Sequence, residues 1–390
     1  MTTVDSWRQR ARALRDELVT AGKLSSPAWQ QAVLDVPRHH FVPAYYQRRP
    51  DEPGWHLVTA SEDRERWWEQ VYANLSLVTE IGAVPDGGRD ATGPVSSSSA
   101  PGLMTRMLEM LDVQPGMRVL EIGTGTGYNA ALLAHRLGDS NVFSLDVGAG
   151  LVESARQRLA ELDYHPTLVT ADGIAGLPEH APYDRIIATC AVPRVPWAWA
   201  EQTRYGGLVL VDVKVSAVVG NLVLLRRDAD QLTGQFDGGA ATFMQMRTPT
   251  FAQHPGQKPE RDRRHAQRHV TGLRLERPWE HGVLWFLLHL TVPGRIEFGY
   301  SQDPDTGGIG AMYLYSRDGS WCEVTTNADG TGQVWEAGPR PLWQTLEQVQ
   351  QFWAEAGQPG WERFGLTVTA NDQHVWLDNP DSPHRWPLPA

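Results

Sequence analysis

The stretch VLEIGTGTGYNAALLA, Val119 to Ala134, restricts the fold more than any other part of the chain. An apolar segment interrupted only by Glu121 runs into glycines at alternate positions, Gly123, Gly125 and Gly127, and then into residues with helical spacing. Glycine allows the tight strand-to-helix turn and lets a ligand approach the backbone. A buried strand feeding directly into a helix is the first half of a βαβ unit, whose strands pair in parallel. The pattern repeats downstream: strand NVFSLD, helix LVESARQRLAEL, strand PTLVTAD, strand DRIIATC, and further strands around GGLVLVDV and NLVLLRR. An α/β, Rossmann-like domain with a parallel sheet is expected.

The ligand follows from the acids around that turn. Dinucleotide sites use G-x-G-x-x-G and hold a pyrophosphate at the helix start. Here the spacing is G-x-G-x-G, and Glu121 beside it would repel pyrophosphate but suits a cation. S-adenosyl-L-methionine, with its sulfonium and ammonium groups, is such a ligand. Asp146 ends the next strand, where a carboxylate can accept both ribose hydroxyls, and Asp172 follows the third strand, towards the adenine. Each acid alone is an ordinary turn or cap residue; three in register after successive strands specify a site. The predicted cofactor-binding residues are Glu121, Gly123, Thr124, Gly125, Thr126, Gly127 and Tyr128 from the first turn. Asp146 and Val147 come from the second, Asp172 and Gly173 from the third. The class expected is a Rossmann-like class I methyltransferase dependent on this cofactor, with a C-terminal α+β domain.

The chain has 390 residues and a formal net charge of -11, which argues against nucleic acid as a partner. Two cysteines, Cys190 and Cys322, are too few for a disulfide framework. No metal motif occurs, and the adjacent His39 and His40 do not make one. The N-terminus lacks the apolar core of a signal peptide, and no apolar run suits a bilayer, so a cytoplasmic, membrane-free protein is expected. Residues 1–251 read as the catalytic domain, opening with helices over residues 6 to 36. Insertions at 46–68 and 82–94 show no clear period. Residues 252–264 read as a linker, and 265–390 as a Trp-rich α+β domain. There, VLWFLLHL, RIEFGY and AMYLYS read as strands, PLWQTLEQVQQFWAEAG as an amphipathic helix, and GLTVTANDQHVWLD as a hairpin.

Three separated motifs resemble the protein-L-isoaspartate O-methyltransferase family: VPRHHFVP, VLEIGTGTGYNAALLA and ADGIAGLPEHAPYDRIIATCAVPRVP. The resemblance spans residues 24 to 247. In the family a Thr-Ile-Ser-Gln-Pro stretch precedes the helix before the cofactor strand, and its Ser lies at the substrate carboxylate. Here VSSSSAPGLM occupies that place. Aligning the Pro implies Ser99 for that Ser, with Ser98 beside it as the second candidate catalytic residue. Ser97 replaces Thr, Ala100 replaces Gln, and Gly102 stands where an aromatic residue is common. A turn-and-cap role for the serines is compatible with this one.

The resemblance implies carboxyl O-methylation of a peptide. The insertions and the extra C-terminal residues look like the branch of the family associated with ribosomally made, modified peptides (graspetides, lanthipeptides and lasso peptides). In that branch an Asp of a macrocyclised precursor is methylated and closes to an aspartimide, which can open to isoaspartate. The alternative is repair of isoaspartyl residues in damaged proteins. The product in either case is S-adenosyl-L-homocysteine.

Overall fold

The computed structural model describes residues 3–49, 52–86, 89–248, 260–273, 277–292, 294–302, 307–326 and 331–389. Its centre is a ten-stranded sheet. From one edge the strands are Arg385–Pro387, Gln373–Leu377, Phe364–Val368, Gln231–Phe236, Gly220–Asp228, Thr203–Lys214, Tyr183–Val192, Val119–Ile122, Val142–Asp146 and Thr167–Thr170. Pairing is parallel from Thr203–Lys214 to Thr167–Thr170 and antiparallel elsewhere. The parallel sheet expected from sequence is therefore one half of a mixed sheet.

Side chains alternate along these strands, so one run of apolar residues serves two cores. Val209, Val211 and Val213 face one core, and Leu208 and Leu210 the other. The second is closed by helices Thr3–Thr20, Pro27–Asp35, Pro101–Met110, Tyr128–Leu137 and Ala149–Ala160. The first is closed by Trp197–Gln202 and by helices Gly282–Thr291 and Leu342–Glu355, whose Trp285, Leu288, Trp343 and Leu346 are buried.

Two smaller sheets flank the centre. The N-terminal one has the order Glu52–Thr59, Ala44–Arg49, Leu77–Asp86, Arg89–Ser98. The stretches at 46–68 and 82–94, irregular by sequence, thus contain strands and the helix Arg64–Val71. The described parts pair as hairpin ladders, with irregular register around Glu80. The second small sheet has the order Gln267–Thr271, Gly332–Ala337, Trp321–Thr326, Ile309–Ser316, Ile296–Gln302.

VLWFLLHL, expected as a strand, is the helix Gly282–Thr291. Eight successive residues, nearly all apolar, carry no period, and burial on nearly every side, from Leu284 to Leu290, suits either structure. The helix Leu342–Glu355 and the hairpin of 364–377 match their sequence readings. Of the proposed linker, residues 252–259 lie outside the described residues. Strands Phe364–Val368, Gln373–Leu377 and Arg385–Pro387, from the segment read as a second domain, complete an edge of the central sheet.

Candidate active site

In chain order the parallel strands lie 3-2-1-4-5, and the order reverses between Val119–Ile122 and Tyr183–Val192. A crevice opens at the carboxyl ends of strands at such a point, and α/β sheets place ligands there. Gly123, Gly125 and Gly127 follow the first of these strands with φ of 100°, 51° and 89°. A Cβ at Gly123 would stand 2.7 Å from Thr189 Oγ1. Thr189 instead donates to the Gly123 carbonyl at 2.7 Å, tying the loop to the neighbouring strand. Thr189 and Cys190 reach the crevice because the ladder slips between Ile187 and Ala191, releasing them from regular pairing.

Glu121 is wholly buried in the crevice floor. One oxygen accepts from Asn129 Nδ2 at 2.7 Å, the other from Ser144 Oγ at 2.6 Å. Burial pushes its pKa up to about 7, opposed by those two hydrogen bonds. Asn129 Oδ1 beside it is buried with no hydrogen-bond partner among the described residues. A bare acceptor next to a desolvated carboxyl is a lining that a cationic ligand would satisfy. Asp146 bridges the second strand end to the glycine loop. Its Oδ2 accepts from Gly125 N at 3.1 Å and its Oδ1 from Gly148 N at 3.0 Å. A carboxylate has about four acceptor positions, so both oxygens keep capacity for hydroxyl donors. Arg247 Nη2 stands 3.9 Å from Asp146 Oδ1.

The serine run forms the opposite wall. Residues 96–98 end the strand Arg89–Ser98 rather than a loose turn, and the cap of the following helix is Ala100, with Pro101 first inside it. Strand alternation buries Ser96 and Ser98 and leaves Ser97 half-buried, and Ser99, just past the strand end, is half-buried as well. Ser96 Oγ accepts from Thr79 at 3.2 Å. The Ser99 hydroxyl makes no hydrogen bond among the described residues. Behind the wall lies Arg38, of the motif VPRHHFVP, with no solvent exposure. Its guanidinium donates to the carbonyls of Val71, Ala73, Leu75 and Ser99 at 2.7, 3.1, 3.0 and 3.2 Å, with Ser98 at 3.5 Å. Burial lowers its pKa to about 10, which still leaves it charged at neutral pH.

The crevice brings together Ser98, Ser99, Glu121, Gly123, Thr124, Gly125, Thr126, Tyr128, Asp146, Val147 and Gly173. Two residues of the sequence-predicted set stand back from it. Gly127 faces helix Ala149–Ala160, where a Cβ would meet Ala155 Cβ at 3.0 Å. Asp172 turns its carboxylate to Ile174 N at 3.0 Å and Thr248 Oγ1 at 2.7 Å, so Gly173 forms the lining in its place. Sequence reasoning missed Asn129, Leu151, Thr189, Cys190 and the strap of residues 243–247. The strap is held by Ala191, which donates to Met244 O at 2.9 Å and accepts from Met246 N at 2.7 Å. It has no periodicity, so no local pattern marks it.

A 3-2-1-4-5 parallel core, a glycine loop at its switch point and carboxylates at the ends of the first two strands define a class I S-adenosylmethionine-dependent methyltransferase. The family profile described as protein-L-isoaspartate(D-aspartate) O-methyltransferase (PCMT) matches residues 58–246. A protein-L-isoaspartate O-methyltransferase of Methanothermobacter thermautotrophicus is 32% identical over 236 residues, covering 60% of this chain and 93% of that protein. The protein of the same name from Methanosarcina mazei is 34% identical over 218 residues, covering 55% and 75%. A solved structure titled protein-L-isoaspartate O-methyltransferase superposes with a TM-score of 0.53 at 23% identity. That alignment covers 95% of this chain and all of the other. The chain belongs to the protein-L-isoaspartate O-methyltransferase family and is a carboxyl O-methyltransferase. The relatives described bear the name of the isoaspartyl enzyme, not of peptide tailoring. The fold shared with the solved structure extends over the C-terminal residues. No described helix is long and apolar enough to cross a membrane.

Proposed function

We propose that the chain methylates the free α-carboxylate of isoaspartyl residues in peptides and proteins, the first step in returning them to aspartyl. The observation that carries this reading is Ser99, a half-buried hydroxyl on the crevice wall that makes no hydrogen bond among the described residues. Such a group is available to donate to a substrate carboxylate. Names borne by relatives at 32% and 34% identity support the isoaspartyl substrate.

A carboxylate has a reference pKa near 4 and is already a nucleophile at neutral pH, so no general base is required. Bound S-adenosylmethionine supplies the electrophilic methyl carbon. The protein's task is alignment and exclusion of water. Glu121 and Asn129 suit the cationic end of the cofactor, Asp146 the ribose hydroxyls, and the turn at Gly173 the adenine end. Ser99 orients the acceptor carboxylate, with Ser98 fixing the backbone behind it. The methyl ester is then attacked by the amide nitrogen of the next residue. Methanol leaves, a succinimide closes, and water opens it to aspartyl or isoaspartyl.

The test offers the purified full chain three substrates: an isoaspartyl peptide, its aspartyl counterpart and a macrocyclised precursor peptide. The expected result is the mass gain of one methyl group on the isoaspartyl peptide alone. Methylation of the macrocycle alone would overturn the repair reading in favour of tailoring. With the isoaspartyl peptide, Ser99→Ala should lower kcat/KM by about tenfold or more, the loss of a hydrogen bond to a charged group. Affinity for S-adenosylhomocysteine should hold. Unchanged turnover would remove Ser99 from the acceptor site.

A further inference from the structure

A second concavity, a groove of about 570 Å³, adjoins the crevice. The two share their walls: Ser99 and Phe243 line the crevice, and their chain neighbours Ala100 and Thr242 line the groove. The groove runs from there over the first turn of helix Pro101–Met110 to Trp279 and Trp361. Its side is formed by Lys23 and Asn74, which lie close over Gly102. A Cβ at position 102 would stand 2.8 Å from both Lys23 Cδ and Asn74 Oδ1. Glycine at 102 is what lets them lie there.

The charges of this groove are unequal. Arg106 pairs with Asp237 at 3.2 Å and Glu280 with Arg277 at 2.9 Å. Lys23, half-buried, has no partner for its ammonium among the described residues. At the far end Trp279 is stacked on Phe298, with centroids 4.2 Å apart and rings inclined by 13°. Trp361 is packed on Phe286 at 4.9 Å. Both indoles are therefore held rigid while one part of each faces the groove.

Resting on the isoaspartyl reading above, we infer that this groove docks the stretch of substrate polypeptide flanking the methylated residue. It selects an acidic side chain at Lys23 and an apolar one at the end formed by Trp279 and Trp361. Consecutive Cα atoms are about 3.8 Å apart, so a chain whose carboxylate reaches Ser99 meets Ala100 and Gly102 within one or two residues. The small residues of the floor admit an extended backbone, and the ammonium of Lys23 supplies the counter-charge for an anion. Specificity thereby reaches beyond the acceptor residue to the segment beside it.

Two isoaspartyl peptides that differ only in acidic or lysine flanks test this. The unmodified full chain should show a KM about five times lower for the acidic peptide, and Lys23→Glu should reverse the order. Independently of turnover, the acidic peptide should slow acetylation of Lys23 read by mass spectrometry. The lysine-flanked peptide at the same concentration serves as the reference for that protection. Methylation of both peptides with equal KM, and no protection of Lys23, would overturn the groove and leave the isoaspartyl reading standing. Protection of Lys23 without methylation of either peptide would overturn that reading and leave the docking of acidic peptide intact. Trp361→Ala supplies a second variant, expected to raise KM for peptides with an apolar flank; no change there would remove the tryptophan end from the site.

Discussion

Glu121 holds a carboxyl in the crevice floor whose pKa is raised by burial to about 7. The native state binds this proton more tightly than the unfolded chain does. Glu121 therefore contributes stability that is fully present below about pH 4.5 and is lost as pH rises through about 7. The change amounts to roughly 3 kcal/mol at most. Glu121→Gln should abolish it. Urea unfolding of the ligand-free protein at pH 5 and pH 8 should show a greater loss of stability for the unsubstituted chain than for the Glu121→Gln variant. Asp212, raised to about 6 by burial, contributes in the same direction to both proteins and cancels in the comparison. Parallel pH profiles would mean that Glu121 is ionised throughout. The position of this acid beside the glycines was legible in sequence. Its partners Asn129 and Ser144 were not singled out there, because they come from the following helix and the neighbouring strand.

Between elements, Arg38 ties the end of helix Arg64–Val71 and the residues after it to the end of the serine strand, through carbonyls at Val71, Ala73, Leu75 and Ser99. Arg38→Met would remove the donor from these carbonyls, of which the Val71 one is buried and the others partly so. The expected cost is about 3 kcal/mol or more in urea unfolding. Because the same bonds set the Ser99 backbone, KM for the peptide should rise more than the dissociation constant for S-adenosylhomocysteine. Equal change in both would make Arg38 a purely structural residue. The motif VPRHHFVP marked this region by resemblance, yet the guanidinium's role depends on contacts 33 to 61 residues away. The serine run shows the converse. Its composition resembles a spacer, but pairing with Leu77 and Val78 makes it a strand end, and alternation then decides which hydroxyls face outward.

Across the whole molecule, residues 364–387 add three strands beside Gln231–Phe236, and Trp285 and Trp343 share a core with Val209 and Val211. A chain ending at residue 251 would expose that core and leave Gln231–Phe236 as a bare edge. It is expected to aggregate or to lose the cooperative unfolding of the full chain by circular dichroism. A soluble, cooperatively folded and active fragment would instead establish residues 1–251 as an independent catalytic domain.

The glycine turn, the acids at strand ends and the alternation of strand with helix depend on local geometry, and for that reason the α/β class and the position of the glycine loop were decided by sequence alone. What had no local signature was decided only by tertiary structure. Helix Gly282–Thr291 is apolar on nearly every side, so its burial, not its pattern, sets its conformation. The strap of residues 243–247 enters the crevice through pairing with the distant backbone of Ala191, and Thr189 and Cys190 enter where the ladder with Thr203–Lys214 slips. The groove beside Ser99 exists because Lys23, Asn74, Gly102 and Trp361, far apart in the chain, converge on one helix start.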